Sequence, residues 1–417
     1  MKAVTPRKPA ETCVSDPGSK SYTHRIVIAA ALSDGPCTIT GALRSEDTLL
    51  TADALRRVGI RLEDRGGVFR IRGASGKLNP WEAPIDLGNS GTSMRFLTAL
   101  VALGRGTYTL TGTPRMQQRP IQDLLDGLSR LGVAARSTRD NGCPPVTVAG
   151  GCLRGGRITL DCSLSSQYLS ALLLIGPYMR EGLEVEISGG PVSRPYIDLT
   201  LDVMGTLGAD VQREGYHRFR TPGDSVYRAG DYQVEPDASQ AGYFWGIGAI
   251  SGVPIAVKGI HRGSRQGDVR LTEVFQAMGC RVLDREEGLA VAGGRLRAVD
   301  VDMADMPDMV PTLAVVAAFA EGTTRIRNVA HLRAKESDRL QAVVTELNRL
   351  GIAAAGTGSG MEVTGGVMRG ARVATYDDHR IAMSFAMAGL LTPGIVIEDE
   401  TCVNKSFPDF WEVFEAL

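Results

Sequence analysis

Cysteine is scarce and unpatterned in this chain: the seven residues, at positions 13, 37, 143, 152, 162, 280 and 402, are odd in number and form no CxxC pair. That argues against a disulfide framework and against a cysteine-held zinc site, and it fits a reducing compartment such as the cytoplasm. The five histidines are scattered without metal-ligand spacing, so no bound metal is expected. No run reaches the roughly 18 apolar residues that a membrane span needs; Ala314–Ala320 is soon ended by Glu321 and Gly322. The opening MKAVTPRKPAETC lacks the apolar stretch of a signal peptide. A charge surplus is missing as well. With 46 Lys and Arg against 47 Asp and Glu, there is no global attraction to nucleic acid or to an anionic membrane. Any anion site must therefore be a local concentration of cations.

What is abundant is repetition, in a chain whose 417 residues predict two domains. One phrase recurs: a polar start, a helix of apolar and small residues, a Gly-containing turn, then a β-branched strand. It reads SKSYTHRIVIAAALSDGPCTITG at Ser19–Gly41 and SGTSMRFLTALVALGRGTYTLTG at Ser90–Gly112, and its six copies end at 41, 112, 189, 259, 328 and 399. The steps are 71, 77, 70, 69 and 71 residues. An interleaved phrase is an amphipathic helix closed by a glycine: ALRRVGI, LSRLGV, MGTLGA, FQAMGC and LNRLGI, with Gly59, Gly132, Gly208, Gly279 and Gly351 spaced by 73, 76, 71 and 72. Each glycine sits where a helix C′ residue needs positive φ. Six units of two helices with following strands predict an α/β (α+β) fold, divided three plus three. The seam falls near TPGDSVYRAGDYQVEPD, residues 221–237.

The unusual polar residues cluster just before or at the helix starts, where free N–H groups and the positive dipole end favour phosphate and carboxylate ligands. The first series carries Lys20, Ser21 and Arg25; Asn89 to Thr92; Ser165, Ser166 and Gln167; Asp237; Asp308; His379 and Arg380. The second carries Glu46 and Asp47; Arg119; Ser193 and Arg194; Gln266; Lys335, Glu336 and Arg339; Lys405. Capping explains Ser, Thr, Asn and Asp at such places without any ligand. It does not explain Lys and Arg, which the dipole disfavours there, so the cations are read as functional. Pro120 reads as a helix N1 residue. The segment Arg333–Arg339 reads as a helix start that puts Lys335 and Arg339 on one face, with Glu336–Arg339 a solvated i,i+3 pair by default.

At these positions the sequence resembles the 5-enolpyruvylshikimate-3-phosphate synthases among the enolpyruvyl transferases. The likeness is carried by PGSKS with Arg25, LGNSGTSMR (Leu87–Arg95), Arg119-Pro120, SSQ from Ser165, SRPY (Ser193–Tyr196) and Pro307-Asp308. It continues through KESDR (Lys335–Arg339), DHR (Asp378–Arg380) and KSFPD from Lys405, in order over nearly the whole length. The resemblance implies a two-domain inside-out α/β barrel of six repeated units, residues 19–234 forming one domain and 1–18 with 235–417 the other. It implies transfer of an enolpyruvyl group without metal or cofactor, with domain closure over the substrates. Shikimate 3-phosphate would meet Lys20, Ser21, Arg25, Ser165, Ser166, Gln167, Ser193, Asp308, His331 and Lys335. Phosphoenolpyruvate would meet Lys20, Gly91, Arg119, Gln167, Arg339, Arg380 and Lys405. Glu336 would protonate C3, Asp308 would take the hydroxyl proton, and Lys20 would assist. His331 stands where many relatives carry Asn, and Gln117-Gln118 where a more charged pair is common. The small Gly91 would admit glyphosate.

Three rivals are weighed, one of them a non-catalytic anion-binding module. The sister enzyme acting on UDP-N-acetylglucosamine typically has a reactive Cys in the loop matching 113–120, where this chain has none. RNA-end-processing or RNA-binding proteins share related repeats, but near-neutral charge and few aromatics disfavour a stacking surface. A monomer without nucleic-acid or membrane partners is expected.

Overall fold

The computed structural model describes every residue except Cys152 and Asp224, so that cysteine and that part of the 221–237 seam lie outside the described residues. The chain forms two compact units: Gly18–Val234, and Met1–Pro17 together with Glu235–Leu417.

In the first unit the helices are α1 (Lys20–Leu32), α2 (Glu46–Arg57), α3 (Gly91–Leu100), α4 (Gln122–Arg130), α5 (Gln167–Ile175) and α6 (Arg194–Thr206). The second holds α7 (Ala238–Ser251), α8 (Leu271–Ala277), α9 (Val310–Ala317), α10 (Arg339–Arg349), α11 (His379–Gly389) and α12 (Phe410–Glu415). The odd-numbered helices correspond to the apolar phrase and are buried nearly all round; α1 is buried from Tyr22 to Leu32 and α9 throughout. A helix without a polar face has to sit inside. Small residues make that possible: a Cβ on Gly248 of α7 would lie 2.2 Å from the Val291 carbonyl oxygen. The even-numbered helices keep one wet face. In α10, Leu340, Val343 and Leu347 are buried while Gln341 and Asn348 are exposed.

Each repeat contributes a small mixed sheet outside its helices. Pro36–Thr40 pairs antiparallel with Val68–Arg72 and parallel with Gly230–Gln233, so the end of the first unit closes onto its first sheet. Gly106–Thr111 and Leu183–Gly189 hold the same central place in the next two sheets. In the second unit, Thr12–Val14 supplies the parallel strand beside Ile255–Lys258. The sixth repeat departs from the expected pattern. Its sheet has three strands, and Lys2–Ala3 pairs antiparallel with Val396–Ile397 where the earlier repeats use strands following their second helix.

The five repeat glycines have φ between +84° and +104°. In that region a Cβ is strained, which is why the closing residue is glycine each time. Among the described residues all six cysteines are free thiols, and no helix is long and apolar enough to cross a membrane.

Candidate active site

The first unit gathers cations at the starts of its inner helices. Ser19 caps α1, its hydroxyl accepting from the Tyr22 N–H at 3.4 Å, which places Lys20 at the first helical position. The Lys20 ammonium lies 3.3 Å from Asp47 Oδ2, on the first turn of α2. One turn further along α1, Arg25 is 2 % exposed and donates to Thr200 Oγ1 (2.8 Å), the Ser21 carbonyl (2.9 Å) and the Tyr196 carbonyl (2.9 Å). Its guanidinium stacks over Phe96. Burial lowers the Arg25 pKa to about 10, which leaves it charged at neutral pH.

Ser90 caps α3 and leaves Gly91 as the first helical residue. Arg119 donates to the Asn89 carbonyl at 2.9 Å and packs so close to Gly91 that a Cβ there would lie 2.4 Å from Arg119 Nη2. Arg95 reaches back to the Gly91 and Pro120 carbonyls, at 3.2 and 2.7 Å. Gln167, opening α5, donates to Thr92 Oγ1 at 3.1 Å, and its N–H is held by Ser165 Oγ at 3.2 Å. Ser166 is buried at the N-cap position and offers no side-chain cap bond. Ser193 precedes α6 in the left-handed region (φ +56°), a conformation that costs a non-glycine residue about 1–3 kcal/mol. Its carbonyl accepts from the Tyr196 N–H, and the Tyr196 carbonyl binds Arg25. Lys20, Arg25, Arg95 and Arg119 thus gather at or just before the starts of α1, α3 and α4, with Asp47 in contact with Lys20. Such a concentration of cations suits anionic ligands.

The second unit holds a balanced set. Asp308 accepts from Arg339 Nη1 and Arg380 Nη2, both at 2.9 Å, with the Lys335 ammonium 3.7 Å away. Arg339 also donates to Glu336 Oε2 (2.7 Å) and to Asp378 Oδ2 (2.8 Å). Burial pushes the Asp308 carboxyl up, yet Arg380, Lys335 and Arg339 together hold it well below the usual carboxylate range. Arg339 is opposed by burial but raised by Asp378, Glu336 and Asp308. His331 is pushed down to about 4, first by burial and then by Lys335, so it is a neutral imidazole at pH 7. Lys405 is buried at the end of the 3₁₀ segment Thr401–Lys405; burial raises the nearby Asp377 carboxyl, and the Lys405 charge opposes that rise.

Three readings need correction. The helix after KES starts at Arg339, because the Asp338 side chain caps it by accepting from the Gln341 N–H; Lys335 is not on a helical face with Arg339. The two meet instead by sharing Asp308. The Glu336–Arg339 pair is not solvated, the side chains being 9 % and 2 % exposed. Pro120 is not N1 of α4, which starts at Gln122; the Ile121 N–H is drawn off to the Gly142 carbonyl.

A family model described as EPSP synthase (3-phosphoshikimate 1-carboxyvinyltransferase) matches residues 4–414. The chain belongs to the EPSP synthase family. It is 43 % identical over 419 residues to the 3-phosphoshikimate 1-carboxyvinyltransferase of Syntrophobacter fumaroxidans, covering 100 % of this chain and 99 % of that protein. Identity to the protein of the same name from Methanoculleus marisnigri is 42 %, covering 98 % and 97 %. A crystal structure of EPSP synthase from Acinetobacter baumannii superposes with a TM-score of 0.82 at 30 % identity, covering 99 % and 97 %.

Within this EPSP synthase fold, two groups have a role that the sequence does not assign, Asp378 of the DHR motif and Asp268. Asp378 caps α11 through the Arg380 N–H (3.0 Å) and also receives Arg339 and Ser337. Its place just before a helix was legible; its second role was not. Asp268 is 4 % exposed and accepts from the Ser239 hydroxyl. Burial, and then Asp308, raise its pKa to about 6 against the opposing pull of Ser239 and Arg380. A carboxyl whose folded pKa exceeds its unfolded one favours the fold most at low pH, and loses that contribution as pH rises through about 6. Asp268→Asn keeps an acceptor for Ser239. It is therefore expected to raise Tm at pH 7.5 and to lose that advantage near pH 4. Calorimetric scans across this range check it; a pH-independent difference would count against the assignment.

Proposed function

We propose that this chain transfers the enolpyruvyl group of phosphoenolpyruvate to the 5-hydroxyl of shikimate 3-phosphate, giving 5-enolpyruvylshikimate 3-phosphate and inorganic phosphate. The product serves aromatic amino acid biosynthesis. The observation that carries this reading, given the family, is the concentration of fixed cations at the starts of α1 and α3 and before α4. Two phosphorylated acids repel each other in a confined space unless such charges surround them.

The chemistry is addition followed by elimination. The acceptor oxygen bonds to C2 of phosphoenolpyruvate as C3 gains a proton; C3 then loses a proton, the C2–O bond to phosphate breaks, and the double bond re-forms. Every heavy atom of the products comes from the two substrates and only protons pass through the protein, so the step needs acid–base groups rather than a covalent nucleophile. Glu336, oriented by Arg339, supplies the proton to C3, and Asp308 takes the hydroxyl proton with Lys20 assisting. Asp308 as held by Arg339, Arg380 and Lys335 is a weak base. An anionic substrate engaging those cations loosens their hold and raises its basicity, so binding and proton transfer are coupled. Shikimate 3-phosphate is assigned to Lys20, Ser21, Arg25, Ser165, Ser166, Gln167, Ser193, Asp308 and Lys335, with neutral His331 as a hydrogen-bonding rather than charged neighbour. Phosphoenolpyruvate is assigned to Lys20, Gly91, Arg119, Gln167, Arg339, Arg380 and Lys405. The reading includes a monomer in the cytoplasm.

The direct test is phosphate release that requires both substrates together; release with phosphoenolpyruvate alone, or none, overturns the reading. Glyphosate is expected to inhibit in competition with phosphoenolpyruvate, and unimpaired turnover at saturating glyphosate argues against the assigned site. In Gly91→Ala the new methyl would lie 2.4 Å from Arg119 Nη2 and 2.8 Å from Arg95 Nη1, both pinned to backbone carbonyls. Arg119 must shift. KM for phosphoenolpyruvate is expected to rise about tenfold, the effect of losing one charge-assisted bond. Glyphosate inhibition should weaken too, while Tm stays near wild type. Steady-state kinetics with both ligands checks this.

A further inference from the structure

We propose that the buried side chains of His24, Thr51 and Ser93 form a positioning relay that fixes the first turn of α3, and with it Gly91 and Arg119, for phosphoenolpyruvate. The proposal rests on the functional reading above.

The relay is a continuous chain of short contacts. His24 Nδ1 lies 2.9 Å from Thr51 Oγ1, Thr51 Oγ1 lies 2.7 Å from Ser93 Oγ, and Ser93 Oγ lies 2.6 Å from Ser90 Oγ. Ser93 Oγ also lies 3.2 Å from the Asp47 carbonyl oxygen. His24, Thr51, Ser90 and Ser93 are each at most 1 % exposed, so water does not complete the network from outside.

Counting protons orders the chain. A carbonyl only accepts, so Ser93 must donate its single proton to Asp47. Ser93 then accepts from both Ser90 and Thr51. Thr51, having donated, can only accept from His24, which must carry its proton on Nδ1. All four bonds form together only in this direction, so the wiring specifies one tautomer and one set of hydroxyl orientations.

The members sit where orientation matters. His24 belongs to α1, one turn beyond Lys20; Asp47 and Thr51 belong to α2; Ser90 and Ser93 form the cap and first turn of α3. Lys20 contacts the Asp47 side chain, whose backbone carbonyl ends the relay. Arg119 donates to the carbonyl of Asn89, the residue before the Ser90 cap. Arg119, the cation of this unit assigned to phosphoenolpyruvate alone, is therefore hydrogen-bonded to the residue that leads into the relay. Arg25, assigned to the other substrate, is held separately by Thr200, Ser21 and Tyr196. Nothing in the relay touches a substrate under this reading; it acts through Gly91 and Arg119.

The test uses Thr51→Val, nearly isosteric but unable to donate or accept, with Ser93→Ala as a second variant and Thr51→Ser as the rescue. Both disrupting variants are expected to raise KM for phosphoenolpyruvate roughly fivefold to tenfold, the worth of about one hydrogen bond. KM for shikimate 3-phosphate should change less than about twofold, and Thr51→Ser should restore wild-type behaviour. Ring ¹⁵N shifts of wild-type His24 should report the Nδ1–H tautomer. An unchanged KM for phosphoenolpyruvate in a folded variant, equal rises in both KM values, or an Nε2–H tautomer overturns the relay. Absence of phosphate release by the wild type overturns the functional reading itself, and that result is distinct from any of these.

Discussion

Arg339→Met is expected to lower folding stability by about 3–5 kcal/mol, the range for breaking a buried ion pair from one side. The Arg339 side chain is 2 % exposed and bridges Asp308, Glu336 and Asp378 at 2.9, 2.7 and 2.8 Å. Methionine fills much of the volume but returns no charge. Three carboxylates would then share a buried patch, with Arg380 and Lys335 left to offset them around Asp308. Lysine cannot rescue the variant fully, because one ammonium lacks the planar fork that spans three acceptors. The pH dependence carries a further signature. In the wild type Asp308 has a depressed pKa, so its contribution is present above the ordinary carboxylate value and is lost as pH falls through the folded value. Removing the guanidinium takes away one of the cations that hold the Asp308 carboxyl down, so its protonation favours the variant fold and the deficit shrinks toward acid. Urea unfolding at pH 7.5 and 5.5 measures both effects. A loss below about 1 kcal/mol, as for a surface pair, would show that the cluster does not bind the unit together.

How much of this was legible beforehand follows from the range of the forces involved. The six-fold repeat and its helix order could be read because both helix types carry local signals: all-apolar against one-sided spacing, and a glycine at each C′ position. The cations stood out because a helix start disfavours them, an argument that needs no tertiary structure. What escaped were partners distant in sequence. Arg25 is held by residues 175 and 171 positions away, and no local pattern marks Thr200 or Tyr196 as acceptors. Glu336 and Arg339 looked like a surface pair because i,i+3 spacing says nothing about what covers it; Asp308 and Asp378 cover it. The start of α10 was misplaced by a cap: Asp338 takes the Gln341 N–H, and the KES segment before it is a bend rather than a helical turn. The sixth sheet borrows Lys2–Ala3, whose partners Ile397 and Val396 lie 395 and 393 residues away with no nearby clue.

Lys20→Ala separates function from folding most sharply. At the first position of α1 a positive charge opposes the helix dipole by about 0.3–1 kcal/mol, so its removal relieves the helix. The substitution also forfeits the contact to Asp47 at 3.3 Å, a part-buried pair whose net worth is of similar size. The two terms roughly offset, and stability should stay within about 1 kcal/mol of wild type. Turnover should not. Lys20 is assigned to both substrates and to proton transfer, so its loss is expected to lower kcat/KM by about 10²–10⁴, the span for a positioned acid–base group. Glu336→Ala should show a comparable kinetic loss but a larger drop in Tm, because Arg339 then keeps only two of its three carboxylates. Measuring Tm and phosphate release on both variants therefore distinguishes a residue retained against the preference of its own helix from one that also holds the fold. If Lys20→Ala turned over at the wild-type rate, its place at the helix start would be a tolerated accident, and the reading of cations at helix starts as ligand-binding groups would fail with it.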